Sequence, residues 1–249
     1  MTSSALGSDL WVRRFTPGPP DAARLVCFPH AGGSASFYLP VSRALAPVAD
    51  VLALQYPGRQ DRHTEKCLES IDEMADRIGE VLTPLADRPL VFFGHSMGAL
   101  LAFEVARRLA DQGIVPRHLF ASGRRAPSRH RAGSVHTRDD AGLIAEMVAL
   151  SGTDRAILGD PEILRMVLPA IRGDYRAVET HRHRDGPPLT CPITVLTGDA
   201  DPHVSLAEAA AWKDHTSAGC DVRVLPGGHF FLVHHQREIN DLLRARLRS

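Results

Sequence analysis

Short apolar runs alternate along the chain with longer segments in which apolar residues recur every three to four positions. The short runs predict strands, and the later ones are nearly all apolar, as in strands buried on both faces. The longer segments predict helices between them. This alternation predicts an α/β fold with a mostly parallel central sheet and helices on both faces. The predicted strands span residues 10–15, 24–29, 50–56, 89–94, 117–123, 192–198 and 221–227, and the helices 36–46, 70–86, 97–112, 204–215 and 236–247. The first strand alternates in polarity, which predicts an edge position.

One connection, between the predicted strands at 117–123 and 192–198, is far longer than a simple crossover needs. It contains two helical patterns of its own. The first, at 137–150, has Thr137 and Asp140 in a capping-box-like arrangement, and the second has Asp160 as N-cap and Pro161 as its first residue. A packed helical subdomain and a lid over an apolar pocket both fit this pattern. We expect one domain over residues 1–249 with a lid insertion at about 124–188. The apolar positions at helical spacing are Leu143, Ile144, Met147, Val148, Ile163, Leu164, Val167, Leu168 and Ile171.

Composition and charge argue against several classes of protein. The 249 residues carry 29 basic and 29 acidic side chains, so the basic excess of a nucleic-acid-binding protein is lacking. No apolar run is long enough to cross a membrane, and the N-terminus has no signal-peptide pattern. The four cysteines are scattered without C-x-x-C spacing, which favours free thiols and a cytoplasmic location. The histidines of HRHRD at 181–185 fit a solvated loop better than a metal site. We expect a monomer without metal or other cofactor.

The segment VFFGHSMGALLAFEVA at 91–106 contains a Gly-x-Ser-x-Gly pattern centred on Ser96. It follows a predicted strand and opens a predicted helix, which is the context of a nucleophile elbow. There the serine sits on a strained turn, and its flanking glycines let strand and helix approach closely. The pattern predicts Ser96 as a nucleophile at the carboxyl edge of the sheet.

A serine hydroxyl needs a base to accept its proton, and in elbow hydrolases the order along the chain is serine, acid, histidine. His229 lies directly after the last predicted strand and is the preferred base. The alternatives His203, His234 and His235 fit less well. The loop TGDADPHV after the preceding strand offers Asp199 and Asp201, and Asp201 fits the hydrolase pattern G-x-x-D-x-x-V. Asp201 would hold the imidazole and stabilise its charged form, whereas Asp199 would cap the loop.

An acyl-transfer site also needs N–H donors for the negative oxygen of its tetrahedral intermediate. The backbone N–H of Met97, after the nucleophile, is one candidate. The second candidate is the N–H of Ala31 in the loop His30-Ala31-Gly32-Gly33, which is similar to the oxyanion loops of esterases. A plain glycine turn at a helix start is the other interpretation of this loop.

Several motifs together resemble one family. FPHAGGSASFY, LQYPGRQDR, FFGHSMGALLAFEVA, ASGRRAP, LTGDADPHV and PGGHFFL look like the type II (external, editing) thioesterases of polyketide and non-ribosomal peptide pathways, members of the α/β-hydrolase superfamily. The resemblance covers about residues 10–245. It implies hydrolysis of acyl groups from the phosphopantetheine thiol of acyl or peptidyl carrier proteins. By motif position it also implies Ser96 as nucleophile, His229 as base, Asp201 as orienting acid, and Ala31 with Met97 as oxyanion pair.

The carrier protein would bind in trans, because the chain shows no carrier module of its own. Arg124 and Arg125, in SGRRAPSRHR just past a predicted strand, are candidates for contacting an acidic, phosphorylated carrier, although a solvated charge run is an ordinary alternative. Competing functions are a general ester or small thioester hydrolase, a chain-terminating cyclase, and a non-catalytic binding protein of the same fold. Neither nucleic acid nor a membrane is an expected partner.

Overall fold

A computed structural model describes residues 10–150 and 160–248. Its seven-stranded sheet has the order β1-β3-β2-β4-β5-β6-β7, in which β1 pairs antiparallel with β3 and every other neighbouring pair is parallel. The predicted mostly parallel sheet and the edge position of its first strand are therefore confirmed. The strands are β1 Val12–Arg13, β2 Arg24–Phe28, β3 Asp50–Leu54, β4 Leu90–His95, β5 His118–Ser122, β6 Ile193–Gly198 and β7 Cys220–Leu225.

The helices of the described residues follow the predicted segments: the last one has the predicted bounds, the second helix of the inserted segment is longer, and the others are shorter. Several predicted helices end in, or begin with, a short 3₁₀ turn, as is common at helix termini. The α-helices are α1 Leu39–Leu45, α2 Ile71–Leu82, α3 Met97–Ala110, α4 Asp140–Ala149, α5 Pro161–Thr180, α6 Leu206–Ala210 and α7 Gln236–Leu247.

Two apolar cores cover the two faces of the sheet. On one face α2 and α3 pack against alternate residues of the central strands, with Trp212 fully buried among them. On the other face α1 and α7 cover the intervening strand residues. Because both faces of β2 to β6 are covered, these strands read as continuous apolar runs.

The last strand differs from this expectation. The apolar pattern predicted that β7 is buried on both faces, but β7 is an edge strand in which three of six residues are exposed, including Val224. A strand at the edge has a neighbour on one side only, so its side chains are less completely covered.

Helices α4 and α5 lie between β5 and β6 in the chain. They form a third, smaller apolar cluster that includes Leu143, Met147, Leu168 and Ile171. Asp160 caps α5 and Pro161 is its first residue, as predicted. The predicted cap of α4 is wrong, because the side chain of Asp139, rather than Thr137, accepts the hydrogen bond from the N–H of Gly142.

The apolar pattern of this segment is not uniformly buried. Val148, which the helical spacing grouped with the core positions, is 54% exposed. Residues 151–159, which connect the two helices inside the expected lid at about 124–188, lie outside the described residues, as do residues 1–9 and 249.

Candidate active site

Ser96 lies on a strained turn between β4 and α3. Its backbone φ of 54° is one of two positive values among the described non-glycine residues. This conformation is costly for a residue with a Cβ, and such strain is concentrated at functional sites. Ser96 occupies the N-cap position of α3, but its side chain makes no capping hydrogen bond, so the hydroxyl remains available to a substrate.

The two glycines of the motif are explained by close backbone contacts. A Cβ at Gly94 would lie 2.2 Å from the carbonyl oxygen of Gly98, and a Cβ at Gly98 would lie 1.9 Å from the carbonyl oxygen of Phe28. The strand, the turn and the start of α3 thus pack more closely than any side chain permits. The elbow predicted from the sequence has this geometry.

His229 and Asp201 come together although 28 positions separate them in the chain. The Nδ1 atom of His229 lies 2.9 Å from Oδ2 of Asp201, and both side chains are almost fully buried. The second carboxylate oxygen of Asp201 accepts a hydrogen bond of 2.8 Å from the N–H of His203. The imidazole is therefore oriented by a fixed carboxylate, and its Nε2 atom is left for other partners.

The alternative acid and the alternative histidines occupy other positions. Asp199 accepts a hydrogen bond of 2.8 Å from the N–H of Gly227, so its side chain supports the turn that carries His229. His234 is exposed, and His235 contacts the carbonyl of Pro226. The ring of His203 lies 5.2 Å from that of His229. Asp201 faces His229 alone among these histidine rings.

Further imidazoles surround His229. The ring of His95 lies 5.0 Å from it, and the ring of His30 lies 6.1 Å from His95. Burial, followed by the nearby charges of His229 and Arg59, lowers the pKa of His30 to about 3. Burial, followed by His229 and His30, holds the pKa of His95 well below its ordinary value. These neighbours are neutral at physiological pH, so they add no positive charge beside His229.

The predicted oxyanion residues share a cavity with Ser96. Ala31, Ser96, Met97 and His229 line one cavity of about 430 Å³. Within the described part of the chain, the N–H of Ala31 donates to no protein atom. The elements that carry these residues follow β2, β4 and β7, so the carboxyl edge of the sheet brings them together.

An ion pair that the sequence analysis missed lies next to this loop. The guanidinium of Arg59 contacts both carboxylate oxygens of Asp174, at 2.7 and 2.9 Å, and Asp174 also accepts a hydrogen bond of 2.7 Å from the N–H of Gly32. Burial alone would lower the pKa of Arg59, but the charge and hydrogen bonds of Asp174 outweigh it and raise that pKa. The YPGR motif signalled Arg59. Asp174, in the middle of a helical pattern, gave no such signal.

A second, more apolar cavity of about 280 Å³ adjoins the first. Ala31, Leu150 and Tyr175 line both cavities. Its walls come from the His30–Gly33 loop and from the two helices of the inserted segment. Its apolar lining includes Phe37, Met147, Leu150, Val167, Ile171 and Phe230.

The two arginines singled out from the sequence lie on the wall of the Ser96 cavity. Both are half-buried rather than solvated. Burial, then the charge of Arg125, lowers the pKa of Arg124 to about 9. Arg125 donates a hydrogen bond of 3.1 Å to the carbonyl of His203. These two side chains are therefore partly covered, whereas Arg129 further along is exposed.

Residues 10–150 and 160–248 contain no cluster of three or more potential metal ligands. His181 lies 3.6 Å from Glu104 and 3.9 Å from Asp72, and His183 lies 3.9 Å from Asp185. The solvated loop expected for these histidines is wrong, because their side chains are only 6% and 13% exposed. The helices of these same ranges include none that is both long and apolar enough to span a bilayer.

Comparison with known proteins assigns the chain to a family. The sequence model of the thioesterase domain matches residues 23–247. The chain is 58% identical over 230 residues to a probable cadicidin biosynthesis thioesterase of Streptomyces griseus, covering 92% of this chain and 64% of that protein. It is 49% identical over 247 residues to thioesterase PikA5 of Streptomyces venezuelae, covering 97% of this chain and 88% of that protein.

A solved structure agrees with these relatives. The type II thioesterase BorB of the borrelidin biosynthetic cluster superposes with a TM-score of 0.92 at 52% identity, covering 96% of this chain and 98% of that one. The predicted α/β-hydrolase fold is thereby confirmed. The chain belongs to the thioesterase family, and within it to the type II thioesterases of polyketide and non-ribosomal peptide pathways.

Proposed function

We propose that this protein hydrolyses acyl groups from the phosphopantetheine thioester of acyl or peptidyl carrier proteins, as an editing thioesterase of such a pathway. The carrying observation is the 2.9 Å contact between His229 and Asp201 on a cavity that the strained Ser96 also lines. The similarity to PikA5 and BorB supports the substrate class.

The reaction follows from the positions of three side chains. His229 accepts the proton of the Ser96 hydroxyl at Nε2 while its Nδ1 faces Asp201. Ser96 then attacks the thioester carbonyl, and the N–H groups of Ala31 and Met97 stabilise the negative oxygen. The imidazolium returns the proton to the departing thiol, leaving an acyl-serine. Water, deprotonated by His229, cleaves that ester and releases the acid.

The two cavities suggest how a substrate is divided. The acyl chain fits the apolar chamber between the oxyanion loop and α4 and α5, and the pantetheine arm fits the cavity lined by Arg124 and Arg125. In this arrangement the segment 124–188 acts as a lid, because its helices supply walls to both cavities. A guanidinium is well suited to the phosphate of the arm.

The first experiment tests the nucleophile. A fluorophosphonate should label the native protein once and Ser96→Ala not at all, and the same substitution should abolish release of acyl groups from a loaded carrier protein. Labelling that persists in Ser96→Ala would refute the assignment. Hydrolysis of small thioesters without any release from a carrier would instead support a metabolite hydrolase.

The same assay tests the role of the arginines. Replacing Arg124 and Arg125 with Glu should reduce turnover of the carrier-bound substrate more than turnover of a small acyl thioester. Arg43→Glu, an exposed arginine on α1 that lines neither cavity, is the control. An equal loss on both substrates would remove the arginines from carrier binding.

A further inference from the structure

The loop between β2 and α1 is held by hydrogen bonds within it and from residues that follow β3. The hydroxyl of Tyr56 donates to the carbonyl of Pro29 at 3.2 Å, and Oε1 of Gln55 accepts from the N–H of Ala35 at 2.9 Å. The N–H of Gly33 donates to the carbonyl of His30 at 2.9 Å. The polar groups on both sides of Ala31 are thus fixed, while its own N–H is left to the cavity.

The Arg59–Asp174 pair holds the loop on the C-terminal side of Ala31. Asp174 accepts from the N–H of Gly32 at 2.7 Å, and Arg59 donates to the carbonyl of Gly33 at 3.1 Å. The carboxylate therefore holds the N–H of the first residue after Ala31, and the guanidinium holds the carbonyl of the second. Arg59 belongs to the segment after β3, and Asp174 to α5, 115 positions away.

The loop conformation itself depends on close contact with α5. Gly32 has a φ of +74°, a left-handed conformation that disfavours other residues, and a Cβ there would lie 2.7 Å from Cγ1 of Ile171. Ile171 is three residues before Asp174 on the same helix. The inserted helix thus contacts the loop through one apolar and one charged side chain.

Stability alone is a weak explanation for such a pair. Removing a guanidinium and a carboxylate from water is expensive, and well-packed apolar residues of similar size often serve the fold as well or better. Both side chains are nearly inaccessible here, with 7% and 0% exposure. What apolar residues would lack is the ability to bind the N–H of Gly32 and the carbonyl of Gly33.

We propose that Arg59 and Asp174 are positioning residues that hold the His30–Gly33 loop so that the N–H of Ala31 points at the developing oxyanion. This inference rests on the proposed function, since it assigns the pair to the oxyanion site of that reaction. Neither residue touches the reacting atoms. Their effect passes through the backbone of the loop, which they also join to the helix that lines the apolar chamber.

The test uses the double variant Arg59→Met/Asp174→Leu, which removes both charges and leaves no unpaired ion. The substrate is a small acyl thioester, so that carrier binding plays no part. A donor displaced from the oxyanion should lower kcat by about 10- to 100-fold and leave KM unchanged, because the contact forms only in the transition state. Arg59→Lys keeps the charge but loses the bidentate geometry. Its kcat should therefore lie between that of the double variant and that of the unmodified protein.

Arg62→Met is the matched control. Arg62 is also buried, three residues further on, and also binds a carboxylate through two nitrogens. Its partners are Glu65 and the carbonyls of Gln55 and Leu10 rather than the His30–Gly33 loop. It should retain the kcat of the unmodified protein, with any effect confined to thermal unfolding.

The outcomes separate this inference from the function on which it rests. Unchanged kcat in a folded double variant, or an equal loss of kcat in Arg62→Met, would overturn the positioning role. If the double variant does not fold, Arg59→Lys decides, and a normal kcat in that variant overturns it. Fluorophosphonate labelling of Ser96 in the unmodified protein reports the proposed function independently of all these results.

Discussion

Two carboxylates near the Ser96 cavity, those of Asp201 and Asp174, are completely buried, and they differ in their partners. Asp201 faces the imidazole of His229 at 2.9 Å, whereas Asp174 faces the guanidinium of Arg59 at 2.7 and 2.9 Å. An imidazole changes its charge near neutral pH, but a guanidinium stays charged throughout that range. The first pair can therefore take part in proton transfer, and the second can only hold a position. An aspartate can serve either purpose, because its cationic partner determines whether the pair can transfer a proton.

The largest expected effect comes from neutralising the two acids in turn. Asp201→Asn should lower kcat by roughly 10⁴-fold, because the amide no longer holds the productive tautomer of His229. Asp174→Asn should lower kcat by about 10- to 100-fold, since it loosens the loop without touching the proton path. Steady-state kinetics on one small thioester measure both.

The comparison of the two acids depends on which variant loses more of its kcat. Equal losses in kcat would mean that both pairs act in the same way, and a larger loss in Asp174→Asn would reverse the roles assigned to them. Thermal unfolding of each variant separates a loss of kcat from a loss of folded protein.

A smaller effect is expected at an earlier position in α5, the helix that carries Asp174. Val167 lines the apolar chamber, while its neighbour Met166 is 51% exposed. Val167→Trp should fill the chamber and shift the ratio of kcat/KM between short and long acyl thioesters by about tenfold towards the short ones. Met166→Trp should leave the ratio unchanged. The same ratio in both variants would place the acyl chain elsewhere.

The smallest effect concerns stability rather than rate, and it extends the contrast between imidazole and guanidinium. His118, within hydrogen-bond distance of Thr194 at 2.9 Å, has its pKa lowered to about 4 by burial and then by the charge of Arg246. An unfolded histidine titrates near 6.5, so between these pH values the unfolded chain binds more protons. The free energy of unfolding should therefore fall as the pH drops from about 6.5 to 4.

Denaturant titrations at several pH values test this slope. His118→Gln should flatten it, whereas His234→Gln, at an exposed histidine, should leave it unchanged. A slope that does not respond to His118→Gln would show that its proton uptake on unfolding is not what makes acid destabilising. The guanidinium of Arg59 adds nothing to the slope because its charge is constant over this range.

The amino-acid sequence alone determined the sheet, its helices and the order of the polar residues at its carboxyl edge. Apolar runs of strand length and helical spacing are local properties, and so is the spacing of the two glycines around Ser96, although one of the contacts that require them, between Gly98 and Phe28, is not. His229 and Asp201 could be chosen because each directly follows a strand. Parallel strands bring such positions to one edge whatever the details of packing.

Only the tertiary structure decided which side chains face each other across long separations. Nothing local links Arg59 with Asp174 or shows that Asp174 binds the peptide after Ala31, because that contact depends on how the inserted helices settle on the sheet. The same packing turned Arg124 and Arg125 from an apparent surface charge run into cavity walls. It also left β7 exposed, since its place at the edge is a property of the whole sheet.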